Sequence, residues 1–162
     1  FKTLEKPAAS GIDAVEFLIS PNPGEPLRPL AAIASGGELS RIMLALKALA
    51  LDRGGVDSMV FDEIDTGVSG RMAQVVGEKM RMIARKKQVL CVTHLPQIAA
   101  LADAQFLVEK QVEDERTRTH VLRLDEEGRV RELSRLVGGA ADSPSSLAHA
   151  RHMLEEAHEN QE

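Results

Sequence analysis

At 162 residues, with 43% hydrophobic and 28% charged side chains, the chain is long enough for one ordinary globular domain with a real core. No apolar run approaches the roughly 18 residues that a membrane-spanning helix needs, so no membrane partner is expected. The net charge of −5 and the scattered Lys and Arg give no basic face, and the absence of Trp and Tyr argues against base stacking. The start at Phe1, without an initiator Met or a signal segment, leads us to expect a piece of a longer, cytoplasmic protein.

In chain order, residues 14–20 read as a short strand that ends at the turn cluster Pro21-Asn22-Pro23-Gly24, and a Pro-rich connector continues to about Ala34. From Glu38 the pattern is helical, with Leu39, Ile42, Met43, Leu46, Leu49 and Ala50 at three- and four-residue steps until Gly54-Gly55. Met59-Val60-Phe61 is a short apolar strand running into acidic residues. Residues 70–85 form a second helix with Met72, Val76, Met80 and Ile83 on one face, and residues 88–93 a second apolar strand. Pro96 opens a short helix. Two strands, 105–110 and 117–124, flank the charged loop Glu113-Asp114-Glu115-Arg116. Helices at 130–137 and 146–157 are separated by Gly138-Gly139, and a polar tail follows Glu159. Apolar strands alternating with amphipathic helices indicate an α/β domain with a mostly parallel sheet flanked by helices.

The single cysteine, Cys91, lies in the apolar run Val89-Leu90-Cys91-Val92 and reads as a small buried hydrophobe, with a reactive thiol as the alternative. The densest basic group, Arg81, Arg85, Lys86 and Lys87, falls late in the second helix, where cations complement the helix dipole; nucleic-acid contact is the alternative.

Four constellations carry chemistry. Ser35 with Glu38 three residues on is a capping box, and Gly36-Gly37 leave the helix start open for a phosphate; an ordinary N-cap is the alternative. Asp62-Glu63 end a core strand, at the carboxyl edge where α/β proteins bind ligands. There Asp62 can hold Mg²⁺ through water and Glu63 can orient or deprotonate an attacking water, or the pair is simply an acidic turn. Residues 65–70, Asp65-Thr66-Gly67-Val68-Ser69-Gly70, form a turn into the second helix with Ser69 as its cap. Thr93-His94 close the next apolar strand, where a lone His is either structural or catalytic.

The order and spacing of these groups carry more than any one of them. Asp62 follows Ser35 by 27 residues and His94 follows Glu63 by 31. Together they resemble the signature motif, Walker B with its catalytic Glu, and histidine switch of ABC-type ATPase heads. Ile64-Asp65, where transporters usually have a Pro after the Glu, is similar to the SMC and RecN branch, which handles DNA. The resemblance runs from about Val15 to beyond Gly139. It implies the C-terminal part of such a head over residues 1–162: a leading strand and connector (1–34), a signature, Walker B, D-loop and histidine-switch core (35–140), and a C-terminal helix and tail (141–162). It implies that Ser35, Gly36 and Gly37 meet the γ-phosphate of ATP on a second head, with Glu38 and Asp65 also in the nucleotide site. Asp62 would serve Mg²⁺ and Glu63 the attacking water. Asp65 would face across the head–head interface, and His94 would touch the γ-phosphate.

No G-x-x-x-x-G-K-[ST] occurs in the chain. In the family that phosphate-cradling loop belongs to an N-terminal Walker A lobe, separated from this segment by a coiled coil. The resemblance therefore implies a sheet incomplete by itself, and ATP hydrolysis only with that lobe and a second head in an ATP-sandwiched homodimer. For the full-length protein it implies repair of DNA double-strand breaks at the nucleoid. A nucleotide-binding module without turnover, or a transporter ATPase subunit, are the alternatives.

Overall fold

A computed structural model describes residues 2–9, 11–20, 23–32, 35–51, 56–113, 116–138 and 143–159. The centre of the fold is a β–α–β unit. Strand β5 (Ser58–Phe61) and strand β6 (Gln88–Cys91) run parallel, paired from Ser58↔Gln88 to Phe61↔Cys91, with helix α2 (Gly70–Ala84) as the crossover. Helix α2 buries Ala73, Val76, Met80 and Ile83 against Phe61 and Ile64. Ala73 takes the place expected for Met72, which is exposed. Gly77 is buried, and a Cβ there would lie 2.6 Å from Leu101 Cδ1, so the missing side chain lets the following segment pack closely on α2.

Helix α1 (Gly36–Leu49) packs on the same core through Leu44. Its main apolar stripe does not. Leu39, Met43, Leu46 and Leu49 are exposed, as are Val60 on β5, Leu90 on β6 and Val92 just beyond it. Strand residues alternate sides. Phe61, with Met59, Val89 and Cys91, meets the core, while the opposite face of the pair is open.

A second, smaller core joins α3 (Pro96–Ala99), α4 (Glu126–Leu136) and α5 (Pro144–Glu159) through Ala99, Ala100, Val130, Leu133 and Ala150. Helix α4 begins four residues before its expected start because Asp125 caps it, accepting from Gly128 N at 2.8 Å. Ser143 does the same for α5, accepting from Ser146 N at 3.2 Å, and Pro144 fits the first turn, where its missing N–H has no partner to lose.

The remaining strands are antiparallel: β1 (Lys2–Ala8) with β2 (Gly11–Ala14), β3 (Leu18–Ile19) with β4 (Arg28–Pro29), and β7 (Phe106–Glu113) with β8 (Arg116–Arg123). The α/β class is thus met. Among the described residues, however, the strands form four two-stranded ladders, of which only β5–β6 is parallel. The strand expected over 14–20 is reduced to β3. The expected stops at Pro21-Asn22, Gly54-Gly55 and Gly139, the middle of the charged loop at Asp114-Glu115, and the tail after Glu159 lie outside the described residues.

Candidate functional site

The parallel register carries past the strand ends. Val92 N donates to Phe61 O at 3.0 Å, so the segment 62–66 leaves the sheet beside the segment 92–95. Asp65 turns into the space between them and is only 4% exposed. Its Oδ2 accepts from Thr93 Oγ1 at 2.7 Å and from His94 N at 2.9 Å, and pairs with His94 Nδ1 at 3.0 Å. Thr93 Oγ1 accepts in turn from Leu95 N at 3.1 Å. Burial pushes the Asp65 carboxyl up. The Thr93 hydroxyl, the His94 N–H, the His94 ring charge and its own backbone N–H outweigh that effect, and the net shift is below the ordinary carboxylate value. The His94 side chain, 74% exposed, is held at Nδ1 and presents Nε2 outward. Within the chain Asp65 thus ties the loop after β5 to the end of β6. Its carboxylate is engaged with its own chain.

Asp62 and Glu63 stand exposed at the carboxyl edge of β5. Asp62 Oδ1 accepts from Glu63 N at 2.9 Å. Glu63 has φ +57°, the only positive φ of a non-glycine among the described residues, a conformation that costs about 1–3 kcal/mol. Turn bonds from Thr66 N to Glu63 O and from Val68 N to Asp65 O, each 3.1 Å, shape the loop.

Helix α1 braces that loop. Ser35 caps the helix, accepting from Glu38 N at 3.4 Å. One turn on, Ser40 Oγ donates to Asp62 O at 3.1 Å, and Arg41 Nη1 donates to Ile64 O at 3.2 Å and Thr66 O at 2.8 Å. The two glycines serve this contact. A Cβ on Gly37 would sit 2.9 Å from Thr66 O and 3.0 Å from Glu63 O, and one on Gly36 would sit 2.6 Å from Glu63 Oε2. The double glycine, read from sequence as room for a phosphate, is therefore also room for the loop that carries Glu63. Residue type and spacing assign no role to Ser40 and Arg41. Their acceptors are backbone carbonyls more than 20 residues away, which no local pattern reveals.

Ser35, Gly36, Gly37, Glu38, Asp62, Glu63, Asp65 and His94 thus belong to one connected edge. Cys91 lies just below it. Burial, with the charges of Asp65 and Asp62, pushes its thiol up to about 12. Among the described residues no cluster of three or more His, Cys, Asp or Glu could cage a metal ion. Asp62 offers one exposed carboxylate, a donor set that suits Mg²⁺ shared with water and phosphates.

An α/β lobe with acidic residues at the end of a parallel strand and a braced helix start beside them has the layout in which open α/β sheets bind ligands. No family model matches the chain. In sequence it is RecN-like. It is 48% identical over 147 residues to the DNA repair protein RecN of Bacillus subtilis, covering 91% of this chain and 26% of that protein. It is 49% identical over 144 residues to RecN of Vibrio cholerae (89% and 26%) and 50% identical over 148 residues to RecN of Streptomyces coelicolor (91% and 26%). The chain therefore spans about a quarter of the length of these curated relatives. A solved structure from work on ATP-driven dimerization and DNA-stimulated activation of SMC ATPases aligns at 20% identity with a TM-score of 0.49, covering 75% of this chain and 80% of its own.

Proposed function

We propose that this chain is the signature, Walker B and histidine-switch portion of an SMC-like ATPase head, the C-terminal part of a RecN-type protein acting in DNA double-strand-break repair. The observation that supports it is the connected edge. The α1 start, the Asp62-Glu63 pair and His94 come from three separate elements and are tied into one surface by Ser40, Arg41 and Asp65. On this reading residues 35–140 are the working core, with 1–34 leading into it and 141–162 closing the C-terminal side.

Asp62 would hold Mg²⁺, which supplies charge neutralisation to the phosphates of ATP. Glu63 would take the proton from the attacking water, and His94 would present Nε2 to the γ-phosphate. Ser35, Gly36 and Gly37 would receive the γ-phosphate of ATP held by a second head, with Glu38 beside them in the nucleotide site, since the helix start offers N–H donors and the positive end of the dipole. Positioning and charge stabilisation of this kind are what phosphoryl transfer requires. Asp65 enters as the residue that holds His94; a contact across the head–head interface would require its carboxylate to leave Thr93 and His94.

The open face of β5–β6 and the exposed stripe of α1 fit an N-terminal Walker A lobe of the same protein, because most of the relatives' length lies outside this chain. Full-length protein would pair through two ATP molecules, act on DNA, and reside in the cytoplasm at the nucleoid. No described helix is long and apolar enough to cross a membrane. Calorimetry with Mg²⁺ and ATP tests the reading. The chain alone should bind far more weakly than the full-length protein, and one-site binding to the chain alone at about 1 μM, or about −8 kcal/mol, would overturn it.

A further inference from the structure

We infer that Arg41 is a positioning residue for Glu63, holding its loop in the conformation that turnover needs; this rests on the reading of Glu63 as the base. The loop has an intrinsic reason to move. Glu63 sits at φ +57°, and a non-glycine residue persists there only when its surroundings fix it.

The fixing bonds come from both sides of Glu63. Before it, Asp62 O accepts from Ser40 Oγ at 3.1 Å. After it, Ile64 O and Thr66 O both accept from Arg41 Nη1, at 3.2 and 2.8 Å. A half-buried guanidinium thus spans the two carbonyls that flank Asp65, tying the start of α1 to the turn that orients Glu63 and the Asp65–His94 pair. Because the acceptors are main-chain atoms, the contact sets where the backbone runs rather than what any one side chain does. Gly37 makes the close approach feasible, since a Cβ there would sit only 2.9 Å from Thr66 O. Without Arg41 the turn loses two charge-assisted bonds, and Glu63 is freed to relax toward ordinary backbone angles. A displacement of about 1 Å in a catalytic group costs on the order of 100-fold in rate.

The test uses full-length RecN-type protein carrying this segment, with Arg41→Met, Arg41→Lys and Glu63→Gln measured side by side. Arg41→Met should lower kcat about 10- to 100-fold while KM and nucleotide affinity stay within about threefold. Arg41→Lys, which keeps a charged donor, should recover part of the loss. A kcat for Arg41→Met within about threefold of wild type overturns the inference, as does a loss shared equally by kcat and nucleotide affinity with no recovery in the Lys variant. Should Arg41→Met not fold, Arg41→Gln takes its place under the same criteria. Turnover retained by Glu63→Gln would instead sink the reading of the site. An inactive Glu63→Gln beside a fully active Arg41→Met sinks only the role given to Arg41.

Discussion

Asp65 and His94 are joined twice, through the backbone N–H at 2.9 Å and the ring Nδ1 at 3.0 Å, both to the same carboxylate oxygen. The pair ties the end of β6 to the loop after β5, and the folded state depends on its charge. The Asp65 pKa is lowered from 3.8, so the stabilisation is fully present above that value and is lost as the pH falls through the lower, folded-state value. Asp65→Asn leaves buried donors poorly satisfied and should cost about 1–3 kcal/mol at pH 7. The difference from wild type should shrink below about pH 4. Urea midpoints at pH 7 and at progressively lower pH check it, and a deficit that does not change with pH would show that the charge is irrelevant.

How much of this was legible in the sequence differs between elements. Helix α2 and the β5–β6 pair were, because their partners lie within the chain and their apolar spacing reports that burial directly. Helix α1 is legible too, but its apolar spacing does not report burial within this chain. Leu39, Met43 and Leu46 form the strongest stripe, yet all three remain exposed. Hairpin β1–β2 was missed because Lys-Thr-Leu-Glu-Lys-Pro-Ala has charges and a proline and no apolar alternation. At the site, the residue types of Asp62, Glu63 and His94 could be read. The inward turn of Asp65 could not, since it depends on a sheet register that brings residues 28 positions apart into contact.

The Cys91 thiol should be nearly inert. With its pKa raised to about 12, on the order of one molecule in 10,000 carries the thiolate at pH 8, whereas a free cysteine is roughly a quarter ionised. Iodoacetamide labelling at pH 8, followed by mass spectrometry, should give a rate far below that of free cysteine and rise to the free rate in urea. Rapid labelling of folded protein would contradict the burial.

Ser35→Arg separates capping from phosphate contact. Losing the cap should cost about 1 kcal/mol of stability, because one N–H at the helix start loses its acceptor. If the helix start also meets ATP on a second head, the bulky side chain should abolish ATP-dependent pairing of full-length protein while leaving ATP binding nearly intact. Light scattering with and without ATP reads the pairing. Normal pairing by the mutant would reduce Ser35 to a cap.

Glu63→Gln is the sharpest test of the mechanism. The amide keeps the size of the side chain, and the backbone bonds that shape the loop, from Thr66 N to Glu63 O and from Ser40 to Asp62 O, involve no Glu63 carboxylate oxygen. The positive φ and the neighbouring Asp65–His94 pair should therefore persist, so that the substitution removes a base and little else. An amide cannot accept the proton of the attacking water, and loss of a positioned general base costs about 10²–10⁴ in rate, or roughly 3–5 kcal/mol of barrier. If Asp62 serves Mg²⁺ as proposed, ATP should still bind, and full-length heads should stay paired longer than in wild type. Asp62→Asn should differ by weakening Mg²⁺-dependent nucleotide binding itself. ATP turnover and the lifetime of the nucleotide-bound dimer, measured for both variants, distinguish the two roles. Turnover by Glu63→Gln within about threefold of wild type, a change under about 0.7 kcal/mol, would mean that the proton goes elsewhere and that the left-handed turn at Glu63 serves the fold alone.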